Sequence, residues 1–158
     1  MNETFAKAVV TLKAEFMKRN ESTSHIYEII PTLPESFSIN KHELEMLHKF
    51  AENNSIYSDS YEMKVLNTVC KVYHGDVNNY WLDSIKHDTS YAPFYPVWIL
   101  SAYALALQSK SLGAKQIIDI GSGDGRIAYC AKITGLQSYG IEIDENLVSL
   151  EKKIVLST

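Results

Sequence analysis

The chain has 158 residues, 46% of them hydrophobic and 22% charged, with a formal net charge of −4. That balance belongs to a folded globular protein and excludes a disordered or low-complexity chain. Lys and Arg are not clustered, which excludes a cationic track for nucleic acid, and no apolar run approaches the ~20 residues of a membrane-spanning helix.

The N-terminus lacks the basic and apolar regions of a signal peptide, and the two cysteines, Cys70 and Cys130, stand far apart. The expected setting is therefore the cytoplasm, with both thiols free and buried. In residues 3–18, Phe5, Ala8, Val9, Leu12, Phe16 and Met17 recur at helical spacing, which predicts an amphipathic packing helix ended by Asn20. Pro31 and Pro34, among several Ser and Thr, predict a loop over 21–38 with one helical turn around Ile26, Tyr27 and Ile30. Asn40 is placed to cap a second helix, with Glu43 three residues on as its capping-box partner and Leu44, Leu47, His48, Phe50 and Ala51 on one side.

A third helix is expected from Asp59 or Ser60 through Tyr61, Val65, Leu66, Val69, Cys70, Val72 and Tyr73, closed by a glycine cap at Gly75. Asp76 would cap a fourth, short helix carrying Tyr80, Trp81, Leu82 and Ile85. Residues 1–87 thus read as an all-helical N-terminal domain. The histidines at 25, 42, 48, 74 and 87 lack the i, i+4 spacing of a helical zinc site, so no metal is expected.

Residues 88–96 change character: Pro93 and Pro96 with Tyr91, Phe94 and Tyr95 predict an extended, rigid ribbon. Pro96 suits the first position of a helix that runs from Val97 to about Ser111 and stops at Gly113. Its apolar residues (Trp98, Ile99, Leu100, Tyr103, Leu105, Ala106) lie nearly all round, which predicts burial between layers.

Gln116 to Ile120 then reads as a short strand buried on both faces. Gly121, Gly123 and Gly125 follow at alternate positions, where glycine permits positive φ and lets a ligand lie against bare backbone. The helix starting near Asp124 or Gly125 would point free N–H groups at that ligand, and Asp119 brings a carboxylate to the same crevice. After this helix (Ile127, Ala128, Cys130, Ala131, Ile133) and Gly135, a second strand over 138–143 ends in Glu142 and Asp144. An acid at that tip is placed to accept hydrogen bonds from the two hydroxyls of a ribose. A final helix runs from Glu145 through Leu147, Leu150 and Ile154. Arg126 stands where the dinucleotide fingerprint needs its third glycine, and Asp119 and Asp124 favour a ligand with a positive group over a pyrophosphate. The pattern points to a nucleoside that carries an amino acid.

The run Asp119-Ile-Gly-Ser-Gly-Asp-Gly125 with Gly140-Ile-Glu-Ile-Asp144 resembles the class I, seven-strand S-adenosylmethionine-dependent methyltransferases. With Tyr91, Pro93 and Pro96 upstream and Arg126-Ile127 downstream it is similar, more narrowly, to the seven-strand protein-lysine methyltransferases of the mitochondrial and histone-lysine types. The resemblance covers residues 88–154. It implies an α/β fold in which 88–158 form the first βαβα portion, strands 1 and 2 only, of a Rossmann-like domain, behind the helical domain 1–87. It also implies S-adenosyl-L-methionine as cofactor. Gly121, Gly123 and Gly125 would line its methionine part, Asp119 its ammonium, and Glu142 its ribose. Ile143 and Asp144 would lie near the adenine, with Tyr91 closing over from the ribbon.

The acceptor-binding and catalytic residues, which such enzymes carry after strand 4, have no counterpart in this sequence, so catalytic residues stay unassigned. The expectation is a truncated part of a methyltransferase that modifies a protein lysine. Alone it would be inactive, and its exposed sheet edge or helices would lead it to self-associate. Two other readings stand beside this one: a non-catalytic helical interaction module with a nucleotide-binding remnant, and an NAD-binding protein.

Overall fold

The structure, a computed structural model, describes residues 3–20, 25–76 and 94–157. Helix α1 (Glu3–Met17) buries Val9, Leu12 and Phe16, as the spacing requires, and the Asn20 amide closes it by donating to the Phe16 carbonyl at 3.0 Å. Helix α2 (Lys41–Glu52) starts at Asn40, whose side-chain oxygen accepts the N–H groups of His42 (2.9 Å) and Glu43 (3.3 Å). The cap is therefore the expected one. The Glu43 carboxylate, however, is engaged by the Tyr103 hydroxyl from across the core.

Around these helices the chain is extended, which corrects the all-helical reading of residues 1–87. Strands β1 (His25–Pro31), β2 (Asp59–Val65) and β3 (Thr68–Asp76) form an antiparallel sheet in the order β1-β3-β2. Residues 25–38 hold β1 and a 3-10 turn at Pro34–Ser36, where a loop with one helical turn was expected. The expected third helix is a hairpin. Tyr61, Met63 and Val65 alternate with Ser60, Glu62 and Lys64, and that period of two, rich in β-branched and aromatic residues, is a strand signal. Val65 pairs with Thr68, leaving only Leu66 and Asn67 for the turn. Gly75 caps no helix. It lies in β3 so close to the neighbouring loop that a Cβ there would sit 1.9 Å from the Ile56 carbonyl oxygen. The fourth helix expected at 77–85, together with Tyr91 and Pro93, lies outside the described residues.

Helix α3 (Ile99–Ser111) begins three residues after Pro96 rather than on it, and Gly113 follows its end at φ 88°. It buries Ile99, Leu100, Ala102, Tyr103, Ala104 and Ala106, with Leu105 exposed as the exception to an all-round apolar surface. Strands β4 (Gln116–Ile120) and β5 (Gln137–Ile141) pair in parallel through the crossover helix α4 (Arg126–Ile133), and α5 (Glu145–Ser157) follows. The described residues thus form a mixed α/β structure of five α-helices and two sheets. One hydrophobic core runs through both halves: Leu12, Phe16, Ile29, Leu47, Phe50 and Val72 pack in the same cluster as Leu100, Tyr103, Cys130 and Ile154. Cys70 and Cys130 are free and buried in it.

Strand β4 is not buried on both faces. Ile117 faces the core, whereas Ile118 and Ile120 are 55% and 81% exposed, beside exposed Tyr139 and Ile141 on β5. A strand is covered twice only between two packed layers, and α4 packs on one side of this pair. No helix among the described residues is long and apolar enough to cross a membrane.

Candidate functional site

The turn between β4 and α4 places Gly121, Gly123 and Gly125 at φ 79°, 59° and 79°, a left-handed conformation that side chains rarely adopt. The three are not equivalent. A Cβ on Gly121 would meet nothing within 4 Å, so this backbone is bare. On Gly123 it would come 2.3 Å from Cε2 of Phe94, and on Gly125 2.5 Å from Cδ of Glu151. Two of the glycines therefore make room for the protein's own side chains. Phe94 and Glu151 were not foreseen at the site. For Phe94 the signal was present in the aromatic, proline-rich stretch around Tyr91; for Glu151 there was none.

Glu142, at the tip of β5, clamps the turn. One carboxylate oxygen accepts the Gly123 N–H at 2.7 Å, and the other accepts those of Ile143 (2.8 Å) and Asp144 (3.0 Å). A carboxylate offers about four acceptor positions, so roughly one remains for a ligand hydroxyl while the clamp is intact. Three further turn amides are also in use. Gly121 and Ser122 both donate to the Ile141 carbonyl (2.7 and 3.0 Å), and Gly125 donates to the Ser122 carbonyl at 2.9 Å. The N–H groups of Gly121, Ser122, Gly123 and Gly125 are thus taken by the chain itself and withdrawn from any anion cradle.

Asp119 pairs in register with Gly140, and its carboxyl pKa is pushed up, first by burial and then by the charges of Glu142 and Asp124. Burial is the larger cause; the smaller one, the neighbouring carboxylate charge, is what an arriving cation would relieve. Asp144 has a second task, since its side chain accepts the N–H groups of Asn146 (2.9 Å) and Leu147 (3.4 Å) and so caps α5. Ile143 beside it is exposed. The Ser122 hydroxyl is buried without a hydrogen-bond partner. Asp119, the three glycines, Glu142, Ile143 and Asp144 thus converge at the carboxyl ends of two parallel strands, the edge where open α/β sheets bind ligands. Tyr91 lies outside the described residues.

No protein-family model, curated protein or solved structure matches this chain. Among the described residues, no group of three or more His, Cys, Asp or Glu is placed to hold a metal ion.

Asp124 corrects one further expectation. It is fully buried and turned away from the crevice, accepting from the Asn54 amide at 2.8 Å and from the Arg126 guanidinium. Its carboxylate is engaged there by Asn54 and Arg126, so it acts on the crevice only through its field at Asp119 and not by contact with a ligand. Arg126, the residue in place of the third glycine, is itself buried among partners drawn from β1 and from the loop after α2. Asn54 lies 70 residues from Asp124 in sequence and Glu28 lies 98 from Arg126, so no local pattern announces these contacts.

Proposed function

We propose that this chain carries the cofactor half-site of an S-adenosylmethionine-dependent methyltransferase. The observation that carries the proposal is the Glu142 clamp: an acid at the end of the second parallel strand, tied to the glycine turn, with Asp119 beside it on the first. Two carboxylates at one crevice suit a ligand with a cationic ammonium and sulfonium and a ribose diol. They oppose a pyrophosphate, for which the N–H groups of Gly121, Ser122, Gly123 and Gly125 are also already taken.

In this reading Gly121, with Gly123 and Gly125, lines the methionine part and Asp119 receives the ammonium. Glu142 offers its remaining acceptor capacity to the ribose, exposed Ile143 and neighbouring Asp144 border the adenine, and Tyr91 covers the site. When bound, S-adenosylmethionine supplies an electrophilic methyl group. The protein's share is to hold it in line with an unprotonated acceptor nitrogen, a matter of positioning. A protein lysine is the acceptor that the methyltransferase resemblance favours.

Calorimetric titration with S-adenosylhomocysteine tests the proposal. Binding is expected for the wild-type chain, with Glu142→Ala weakening it by at least about tenfold, the scale of a lost charge-assisted hydrogen bond. Binding of NAD in place of S-adenosylhomocysteine would support the dinucleotide reading. Binding of neither would leave an interaction module.

One observation also favours a partner. Ile118, Ile120, Tyr139 and Ile141 share one face of the β4–β5 pair and are between 52% and 81% exposed. Such a contiguous apolar patch marks a contact surface. We infer that a second copy of the chain covers it, face to face.

A further inference from the structure

The guanidinium of Arg126 has five N–H donors, and the structure employs all of them. Nε donates to Asp124 Oδ1 at 2.9 Å, and Nη1 donates to Glu28 Oε2 at 2.9 Å and to the Val97 carbonyl. Nη2 donates to the Tyr57 hydroxyl at 3.2 Å and to Asp124 Oδ2. The group lies 5.6 Å over the Phe50 ring and is 3% exposed. Glu28, fully buried on β1, accepts from the Tyr57 hydroxyl at 3.0 Å, and its other oxygen accepts the Ile99 N–H at the start of α3 at 2.6 Å. One side chain thus joins β1, α2, the 54–57 loop, the start of α3 and the glycine turn.

A buried ion pair adds little net stability over apolar packing, because desolvation offsets the attraction. What it supplies is a single geometry. Asp124 sits between Gly123 and Gly125, so the direction in which Arg126 pulls its carboxylate sets the shape of the turn.

We propose that Glu28 is a positioning residue for the glycine turn, acting through Arg126 and Asp124, so that the N-terminal sheet and a ligand at the turn are energetically coupled. The identity of that ligand rests on the cofactor reading above. Glu28 and Asp124 compete for one guanidinium. A charged Glu28 draws it toward β1, and a protonated Glu28 releases it to Asp124. The charged and titratable groups facing Glu28 are Arg126, Asp124, Tyr57 and the Cys130 thiol; burial sets its carboxyl at about 7, so the exchange falls near neutral pH.

The test compares the full chain with Glu28→Gln by backbone amide hydrogen exchange and by S-adenosylhomocysteine titration. Exchange at Gly123 and Gly125 is expected to rise about tenfold while the β1-β3-β2 sheet keeps its protection, as befits a local opening. Affinity is expected to fall by a similar factor and to lose its dependence on pH between about 6 and 8. Tyr57→Phe, which removes a hydroxyl that both Arg126 and Glu28 use, should give a smaller change of the same sign and serves if Glu28→Gln does not fold. Uniform loss of protection, with no excess at the turn in either variant, would overturn the proposal. If the wild type binds no S-adenosylhomocysteine, the cofactor reading fails while the exchange comparison still decides the coupling.

Discussion

Glu28 is an acid with no exposure, sharing its only cation with a second acid, and burial outweighs that cation to raise its pKa from the ordinary 4.5 to about 7. Between those values the native state holds a proton that the unfolded chain has released. The stabilising contribution is therefore complete below pH 4.5 and lost as pH rises through about 7. Urea unfolding is expected to show stability falling by a few kcal/mol between about pH 5 and 8, and Glu28→Gln should remove most of that slope. A wild-type profile that is flat or rises over this range would contradict the assignment. At the same scale, glycine at 121, 123 and 125 was legible because positive φ is a property of one residue. Which glycine faces a ligand was not legible, since Phe94 and Glu151 reach Gly123 and Gly125 from elsewhere in the chain.

Among elements, the helices were the more readable. Their apolar period and the Asn40 cap are local, and α1 and α2 formed where the spacing placed them. The β2–β3 hairpin was misread because its turn has Asn67 in the second place but no glycine or asparagine in the first, where the left-handed backbone falls. Leu66 takes φ 54° where glycine or asparagine is the usual signal, and Gly75, which resembles a helix end, serves a close approach of backbones. This assigns Gly75 a steric role that a mutation can check. Gly75→Ala would drive a methyl group into the Ile56 peptide, and backbone at 1.9 Å has no cheap escape. A loss of roughly 2–4 kcal/mol is expected by thermal or urea denaturation, in the range of overpacking and backbone strain. A change below about 0.5 kcal/mol, the size of an ordinary surface substitution, would show that the loop yields.

For the whole molecule, the decisive feature is asymmetric cover. A single core takes in α1, α2, α3, the antiparallel sheet and one face of β4–β5, while the other face presents Ile118, Ile120, Tyr139 and Ile141 outward. Sedimentation of the wild-type chain is expected to show a dimer that dissociates on dilution. Ile120→Lys, a change at an 81% exposed position, should give a monomer with unaltered stability. A wild-type monomer at concentrations of about 100 μM, where weak interfaces still form, would refute the second-copy interface.

The sequence by itself determined what depends on neighbours along the chain. It set the two N-terminal helices and the parallel strand–glycine turn–helix–strand unit at 116–157. It also set the acids at the strand ends, because period, φ preference and capping act within a few residues. Tertiary structure decided everything that needs partners from far away. It turned residues 59–76 into a hairpin, since a three-stranded sheet gave their alternating face a core to bury. It buried Asp124 against Asn54 and Arg126, since only folding brings Glu28, Asn54 and Tyr57 to that cluster. It left one face of β4 open, since burial on both sides depends on layers that no local pattern encodes.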